Sequence, residues 1–562
     1  MDPDSKTTSS ATRIEEFQTH PIDGQMLKQL AGAALTWLRT NQQIVNSLNV
    51  FPVPDGDTGT NMVLTMQAAY DEVADSSERN VGRMAHAIAH GALMGARGNS
   101  GVILSQLWRG FARALDNQEF LDGPSLVRAF SAGRDTAYKG VVRPVEGTIL
   151  TVAKDSAAAA DKALLATKDP IDILDQVVKE ADQSVQRTPE LLPVLKDAGV
   201  VDSGGKGFFY ILEGMMRYIH GQTLEATLPA VHPLTAMNLF ETREAIEPGQ
   251  DFEVVIDFRP YEPLELEQFY SDLEDMGTSI QIGEGEGIYR LHIHVPKEKL
   301  YDPIEYTKSL GTFEKATIEN LLSQMENLNT GGEEEKLDLV PVEPGQIAVV
   351  AVSPGPGIAR VFASLQAAAI IEGGQTMNPS TQEIIRAFEN LPTDKIIILP
   401  NNKNIILAAQ AASQLTVKKV ATIPTKSVPQ GLVAMLRLVP NGDFNTVIHE
   451  MTAALADVDT GEITTATRSV EIDGVEVIEG QIIALHNGKL VLAASTLEEA
   501  TLGLLEKAKA EEHELITLFY GENLTKHEVN RIADLIRKAY PGQEIEVQDG
   551  GQPHYHFIIS IE

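Results

Sequence analysis

The chain has no cysteine. Disulfides and thiolate metal sites are therefore excluded, and a cytoplasmic home is expected. It is poor in positive charge: 45 Lys and Arg stand against 79 Asp and Glu, a formal net charge of −34. That balance argues against nonspecific nucleic-acid binding, which needs a basic footprint. It argues equally against docking on anionic lipid. No apolar run approaches the ~18–20 residues needed to cross a bilayer, so no stable membrane insertion is expected. The first residues, Met1-Asp-Pro-Asp-Ser-Lys, lack a basic segment followed by an apolar one, so no signal peptide is expected.

What is present is ordinary globular composition, 43% hydrophobic and 22% charged, spread over 562 residues. That length exceeds a single hydrophobic core and predicts three or four domains. Residues 1–21 read as a disordered tail. Residues 22–224 carry about eight stretches of helix-period apolar residues, starting with Met26 to Leu48, and predict an all-helical domain with its polar loops gathered at one end. Residues 225–330 are mixed: Phe252 to Phe258 and Gly287 to Val295 read as strands, with a helix over Leu264 to Met276 between them. Residues 331–345, which include Gly331-Gly332-Glu333-Glu334-Glu335, read as a linker. From 346 to 562 strands and helices alternate, beginning with the strand Ile347 to Val352, which predicts α/β layers around a parallel sheet.

Residues 49–61 are the most informative: Asn-Val-Phe-Pro-Val-Pro-Asp-Gly-Asp-Thr-Gly-Thr-Asn. Pro52 and Pro54 stiffen the approach, and Gly56 and Gly59 allow tight turns and close approach to a ligand. Asp55 and Asp57 thus stand in a glycine loop that leads into a helix. Hard cations take oxygen ligands and helix N-termini attract phosphate, so the loop suits a metal–nucleotide, with Asn49 as a candidate third oxygen. The other reading is an Asx turn that caps a helix.

Three further polar glycine loops lie in the same helical region. In Gly95-Ala-Arg-Gly-Asn-Ser-Gly101, residues Asn99, Ser100 and Gly101 open a helix, where backbone N–H groups can hold phosphate; taken alone, the loop reads more often as an ordinary interhelical turn. Gly147-Thr148 opens another after a proline turn, with a simple threonine cap as the alternative. Asp197 to Gly207 interleaves Asp202, Ser203 and Lys206 with four glycines, which are costly unless backbone must approach something closely. It is not a P-loop, because Gly-x₄-Gly-Lys-[Ser/Thr] is missing. His86 and His90, four apart on a helix, lack a carboxylate at matching spacing and read as packing or surface residues.

Together these four loops resemble the ATP-binding domain of bacterial fatty acid kinase, which is related to the nucleotide subunit of dihydroxyacetone kinase. The resemblance runs in order over residues 22–220. It continues in Ile371-Glu-Gly-Gly-Gln-Thr-Met-Asn-Pro-Ser380, Leu399-Pro-Asn-Asn-Lys-Asn404 and Pro424-Thr-Lys-Ser-Val-Pro-Gln-Gly431, which are similar to that family's third domain.

The resemblance implies an antiparallel eight-helix barrel that holds Mg-ATP at one mouth, an α+β middle domain and a DegV-like α/β C-terminal domain. It carries metal binding over to Asp55 and Asp57, and less securely to Asn49. Thr58, Gly59, Thr60 and Asn61 would line the phosphates, as would Asn99, Ser100 and Gly101, while Gly147, Thr148 and the Asp202 loop would close over the nucleotide. The implied reaction moves the γ-phosphoryl of ATP to a fatty acid carboxylate. A separate DegV-like fatty-acid-binding protein presents the acid, and the acyl-phosphate serves phospholipid synthesis. A homodimer is implied as well. The alternatives are a dihydroxyacetone-type (glycerone) kinase and a non-catalytic scaffold that binds nucleotide to regulate a partner.

The middle region departs from the family pattern, which has a cysteine in the first strand and His-x-His in a later one, thought to bind metal. Here His292-Ile-His294 is present and the cysteine is not; Glu253 stands near its place. Alternation puts both imidazoles on one strand face, and a His₂Glu set suits Zn²⁺. Two histidines facing solvent or a carboxylate are the other reading.

Overall fold

Local capping explains most of the helical part. The computed structural model describes residues 21–51, 56–141, 143–224, 231–233, 252–261, 264–285, 288–320, 337, 339–375, 377–466, 469–472 and 475–562. The expected N-terminal tail, and Asp55 with the two prolines before it, lie outside that set. Eight long helices are described: Gly24–Thr40, Thr58–Asp71, Val81–Met94, Gly98–Ala114, Gly123–Gly140, Ile149–Ala163, Pro170–Leu191 and Ser203–Ile219. Six begin on a side chain that accepts a first-turn N–H: Asp23, Asn80, Asp122, Thr148, Asp169 and Asp202. The other two, which start at Thr58 and Gly98, follow Asp57 and Arg97, and neither side chain caps its helix.

The helix expected over Met26 to Leu48 breaks at Asn41. The Asn41 N–H reaches the carbonyls of Trp37 and Leu38, and a short second helix, Gln42–Ser47, follows. The inward faces bury Leu38, Met62, Met66, Met84, Ile88, Leu104 and Leu150 in one core. Each such side chain is worth roughly 1.5–3 kcal/mol when taken out of water.

Residues 225–336 form a compact unit of their own. Its five-stranded sheet runs in the order Val231–Pro233, Thr278–Gly285, Ile288–Val295, Phe252–Pro260, Gly311–Asn320. Val254, Ile256 and Phe258 alternate inward and pack with Phe269 and Leu273 of the helix Leu266–Glu274, close to the elements expected from the sequence.

The helical part and residues 337–562 together make the other compact unit. The C-terminal part opens with a parallel four-stranded sheet, ordered Ala369–Glu372, Ile347–Ser353, Lys395–Leu399, Lys419–Thr422. Its Ile347–Ser353 strand is buried at every position, as a central parallel strand covered on both faces must be. The second sheet has six strands, and only the Leu515–Tyr520 and Glu544–Asp549 pair is parallel. The α/β reading misses this antiparallel character. Its local cause is the Asn487-Gly488 pair, both at positive φ, which closes a tight hairpin between Ile482–His486 and Lys489–Ala494. One apolar cluster joins the two parts of this unit: Ala96 and Val102 pack with Val350, Ile384, Phe388, Ile398 and Ile405.

Candidate functional site

The four glycine loops meet at one end of the helical part. Ser203, the first residue of its helix, donates through its hydroxyl to the Thr58 hydroxyl at 3.2 Å. The two helix N-termini are thereby tied together. Asp202 accepts the Gly205 N–H at 2.7 Å and also a hydrogen bond from the Ile149 N–H, which brings in the Gly147-Thr148 loop. The Asp202 N–H in turn donates to the Thr188 hydroxyl at 3.0 Å. The third junction is a matter of space. A Cβ on Gly98, which has φ +56°, would stand 2.6 Å from the Asn61 amide nitrogen, and one on Gly101 would stand 2.3 Å from the Thr65 hydroxyl. Glycine there lets the two helix starts approach this closely.

Asp57 is 8% exposed and sits at the N-cap position, yet its side chain makes no cap. The Asx-cap reading therefore fails for Asp57, whereas it holds for Asp202 and Thr148. Asn49 accepts the Asp57 backbone N–H at 3.2 Å, so its oxygen holds the loop. Thr60 faces the short helix: its N–H goes to Asn46, and its hydroxyl accepts from the amides of Gln42 and Asn46. Gly59 is wedged below, where a Cβ would lie 2.3 Å from the Gln42 carbonyl oxygen. Thr58 and Asn61 are buried beside it. Asn99 and Ser100 lie half-buried in the first turn of the Gly98–Ala114 helix.

Burial dominates the electrostatics of Asp202. It lifts the carboxyl from 3.8 to about 7, against the lowering effect of the Gly205 and Ile149 N–H groups.

Sequence reasoning missed the C-terminal residues at this site. The Asn378 amide donates to Asp57 Oδ2 at 2.6 Å, 321 residues along the chain. Arg97 binds the Asn378 carbonyl oxygen at 2.8 Å and the Glu383 carboxylate at 3.0 Å. The Thr381 N–H reaches the Ala96 carbonyl, and the Asn99 amide donates to Asn404 at 3.4 Å. Asn378 is 2% exposed, and its Oδ1 has no hydrogen-bond partner. A buried acceptor left unpaired costs roughly 1–3 kcal/mol and calls for an explanation.

The histidines of the middle unit form a chain. His294 Nε2 lies 3.2 Å from His292 Nε2, and His292 Nδ1 lies 3.2 Å from Glu253 Oε1. The bond from His292 holds the Glu253 carboxyl below its usual value, against burial. Glu253 thus meets the ring nitrogen opposite the one that faces His294. The three do not converge on one point as the His₂Glu set requires, and among the described residues no group of three or more His, Asp or Glu is placed to hold a metal ion. His86 pairs with Asp116 and His90 with Glu72, all of them substantially exposed, in keeping with surface roles.

Comparison with known proteins fits this layout. Residues 52–217 match the DAK2 domain, residues 247–328 the middle domain of FakA-like fatty acid kinase proteins, and residues 348–562 the C-terminal domain of the same proteins. An uncharacterized protein of Staphylococcus haemolyticus is 37% identical over 554 residues, covering 96% of this chain and 99% of its own. The chain belongs to the FakA-like fatty acid kinase family. Protein YloV of Bacillus subtilis is 37% identical with the same coverage. Among solved structures, the Streptococcus pneumoniae fatty acid kinase B3 protein loaded with linoleic acid aligns at 12% identity and a TM-score of 0.27, over 38% of this chain and 99% of its own. The dihydroxyacetone kinase of C. freundii aligns at 16% and 0.25, over 34% of each. The family is shown by the relatives that match over nearly the whole chain. No described helix is long and apolar enough to cross a membrane.

Proposed function

We propose that the chain is the ATP-dependent component of a two-protein fatty acid kinase. It transfers the γ-phosphoryl group of ATP to a fatty acid carboxylate presented by a separate DegV-like carrier, giving an acyl-phosphate. One observation carries the reading. Asp57 is buried at a helix start that it does not cap, in the cluster where three further helix N-termini meet.

Positioning and charge neutralisation dominate phosphoryl transfer. Bound Mg²⁺ supplies positive charge to the phosphates, and the oxygens suited to hold it are Asp57, Asp55 beside it in the sequence, and water. The helix starts at Thr58 and Gly98, where no side chain caps the first turn, offer backbone N–H groups to phosphate oxygens. Ser203 and Thr58 hold two of the loops in register. The acceptor carboxylate is already an anion, so no general base is required; the described residues at these helix starts supply carboxylates, amides and hydroxyls.

Calorimetric titration of Mg-ATP into the full chain tests the site. Binding is expected in the wild type and should be lost in Asp57→Ala with the fold retained. Unchanged binding in the variant would remove Asp57 from the site.

A further inference from the structure

We propose that the C-terminal α/β part completes the nucleotide site, with Asn378 as a positioning residue whose amide N–H₂ holds the Asp57 carboxylate in place for the metal–nucleotide. The inference rests on the metal–nucleotide reading of Asp57. It goes beyond that reading by making the carboxylate depend on a residue from the other end of the chain.

Six of the eight described long helices begin on a capping side chain of their own. The two that do not start at Thr58 and Gly98, and the C-terminal part reaches both. At the first, the Asn378 amide donates to Asp57 Oδ2 at 2.6 Å. At the second, Arg97 binds the Asn378 carbonyl oxygen and the Glu383 carboxylate, and the Asn99 amide donates to Asn404. The loop that carries Asn378 is itself fixed. Glu383 Oε2 takes the Ser380 N–H at 2.6 Å and the Ser380 hydroxyl takes the Glu383 N–H at 3.2 Å. This capping box opens the helix Thr381–Glu389, and the Thr381 N–H binds the Ala96 carbonyl. One guanidinium therefore ties the Gly98 helix start to the Asn378 loop.

The Asn378 amide uses its donor end. The residue is 2% exposed, its N–H₂ meets Asp57, and its Oδ1 has no partner. A buried amide with an unpaired oxygen costs stability, so the bond to Asp57 is what such an amide contributes. Asp57 is buried and does not cap its own helix, so that helix does not orient its carboxylate. A donor on Oδ2 does so, and takes one of about four acceptor sites of an ionised carboxylate. Carboxylates that hold a cation are themselves held by such donors.

A brace that only ties the two parts together predicts a different response to substitution. The experiment measures ATP affinity of the full-length chain by calorimetry, once with Mg²⁺ and once with EDTA in its place, and the melting temperature without ligand. In wild type, Mg²⁺ is expected to tighten ATP binding. Asn378→Leu keeps the size and removes the donor; it is expected to cut that gain roughly tenfold and to leave metal-free ATP affinity unchanged. Equal losses with and without Mg²⁺, or no loss in either, would overturn the proposal. If the melting curve shows that Asn378→Leu does not fold, Asn378→Ala is read in the same way. Asp57→Asn is the control for the underlying reading. If it loses the Mg²⁺ gain while the Asn378 variant keeps it, the nucleotide site stands and Asn378 is excluded. If Asp57→Asn keeps the gain, the reading of Asp57 fails and the proposal fails with it.

Discussion

Asp202 makes the helical part sensitive to pH in a direction opposite to that of most carboxylates. The group is 4% exposed and burial lifts it from 3.8 to about 7. Its folded value is therefore above its unfolded value, and folding takes up a proton between roughly pH 4 and pH 7. The favourable contribution of the neutral form is fully present below the unfolded value and is lost as pH rises through the folded one. At 1.36 kcal/mol per unit, a rise of about three units corresponds to roughly 4 kcal/mol above pH 7. Asp202→Asn removes the charge and keeps an acceptor for the Gly205 N–H, since asparagine is as good an N-cap as aspartate. Wild type and Asp202→Asn should then melt within a degree or two of each other near pH 4, while the variant should melt several degrees higher at pH 8. Differential scanning calorimetry at both pH values, without nucleotide or divalent ion, measures the difference. An Asn variant equally destabilised at both pH values would refute the reasoning, because the carboxyl would then be stabilising in its charged form.

Other perturbations act through space and through the clasp. Gly59→Ala puts a Cβ 2.3 Å from the Gln42 carbonyl oxygen, so it should cost roughly 1–3 kcal/mol in urea denaturation and weaken ATP binding. Gly199→Ala meets nothing within 4 Å but has φ +66°, so its cost should stay near ~1 kcal/mol. Arg97→Ala loses a half-exposed ion pair with Glu383 and a bond to the Asn378 carbonyl; about 1–2 kcal/mol of stability is expected to go, with a larger relative loss in nucleotide affinity read by calorimetry.

The helical half of the candidate site was legible because each loop carries its own local signal. Asp57, Gly98, Gly147 and Asp202 announce helix starts within a few residues, and the chemistry of such starts is general. Their convergence needed only the inference that polar loops of one helical domain gather at one end. That the Asn49 oxygen takes the Asp57 N–H is a tertiary detail within an eight-residue span, and residue types alone do not reveal it. Asn378 was out of reach for a stronger reason. Its partner is 321 residues away, and nothing local in Met377-Asn378-Pro379 distinguishes an amide that binds Asp57 from one in a plain turn. The available signal was the Gly373-Gly374 loop at a parallel-strand end, where ligands usually dock. The mixed character of the last sheet was foretold only by Asn487-Gly488, a two-residue hairpin turn inside a stretch that otherwise alternates.

The most direct measurement follows phosphate from [γ-³²P]ATP in the presence of the purified chain and a DegV-like protein loaded with fatty acid, with trapping of the acyl-phosphate by hydroxylamine. The account predicts a hydroxamate that requires the chain, the loaded carrier and a divalent cation, and that disappears with Asp57→Ala. Phosphate transfer to dihydroxyacetone with no transfer to the carrier-bound acid would contradict it.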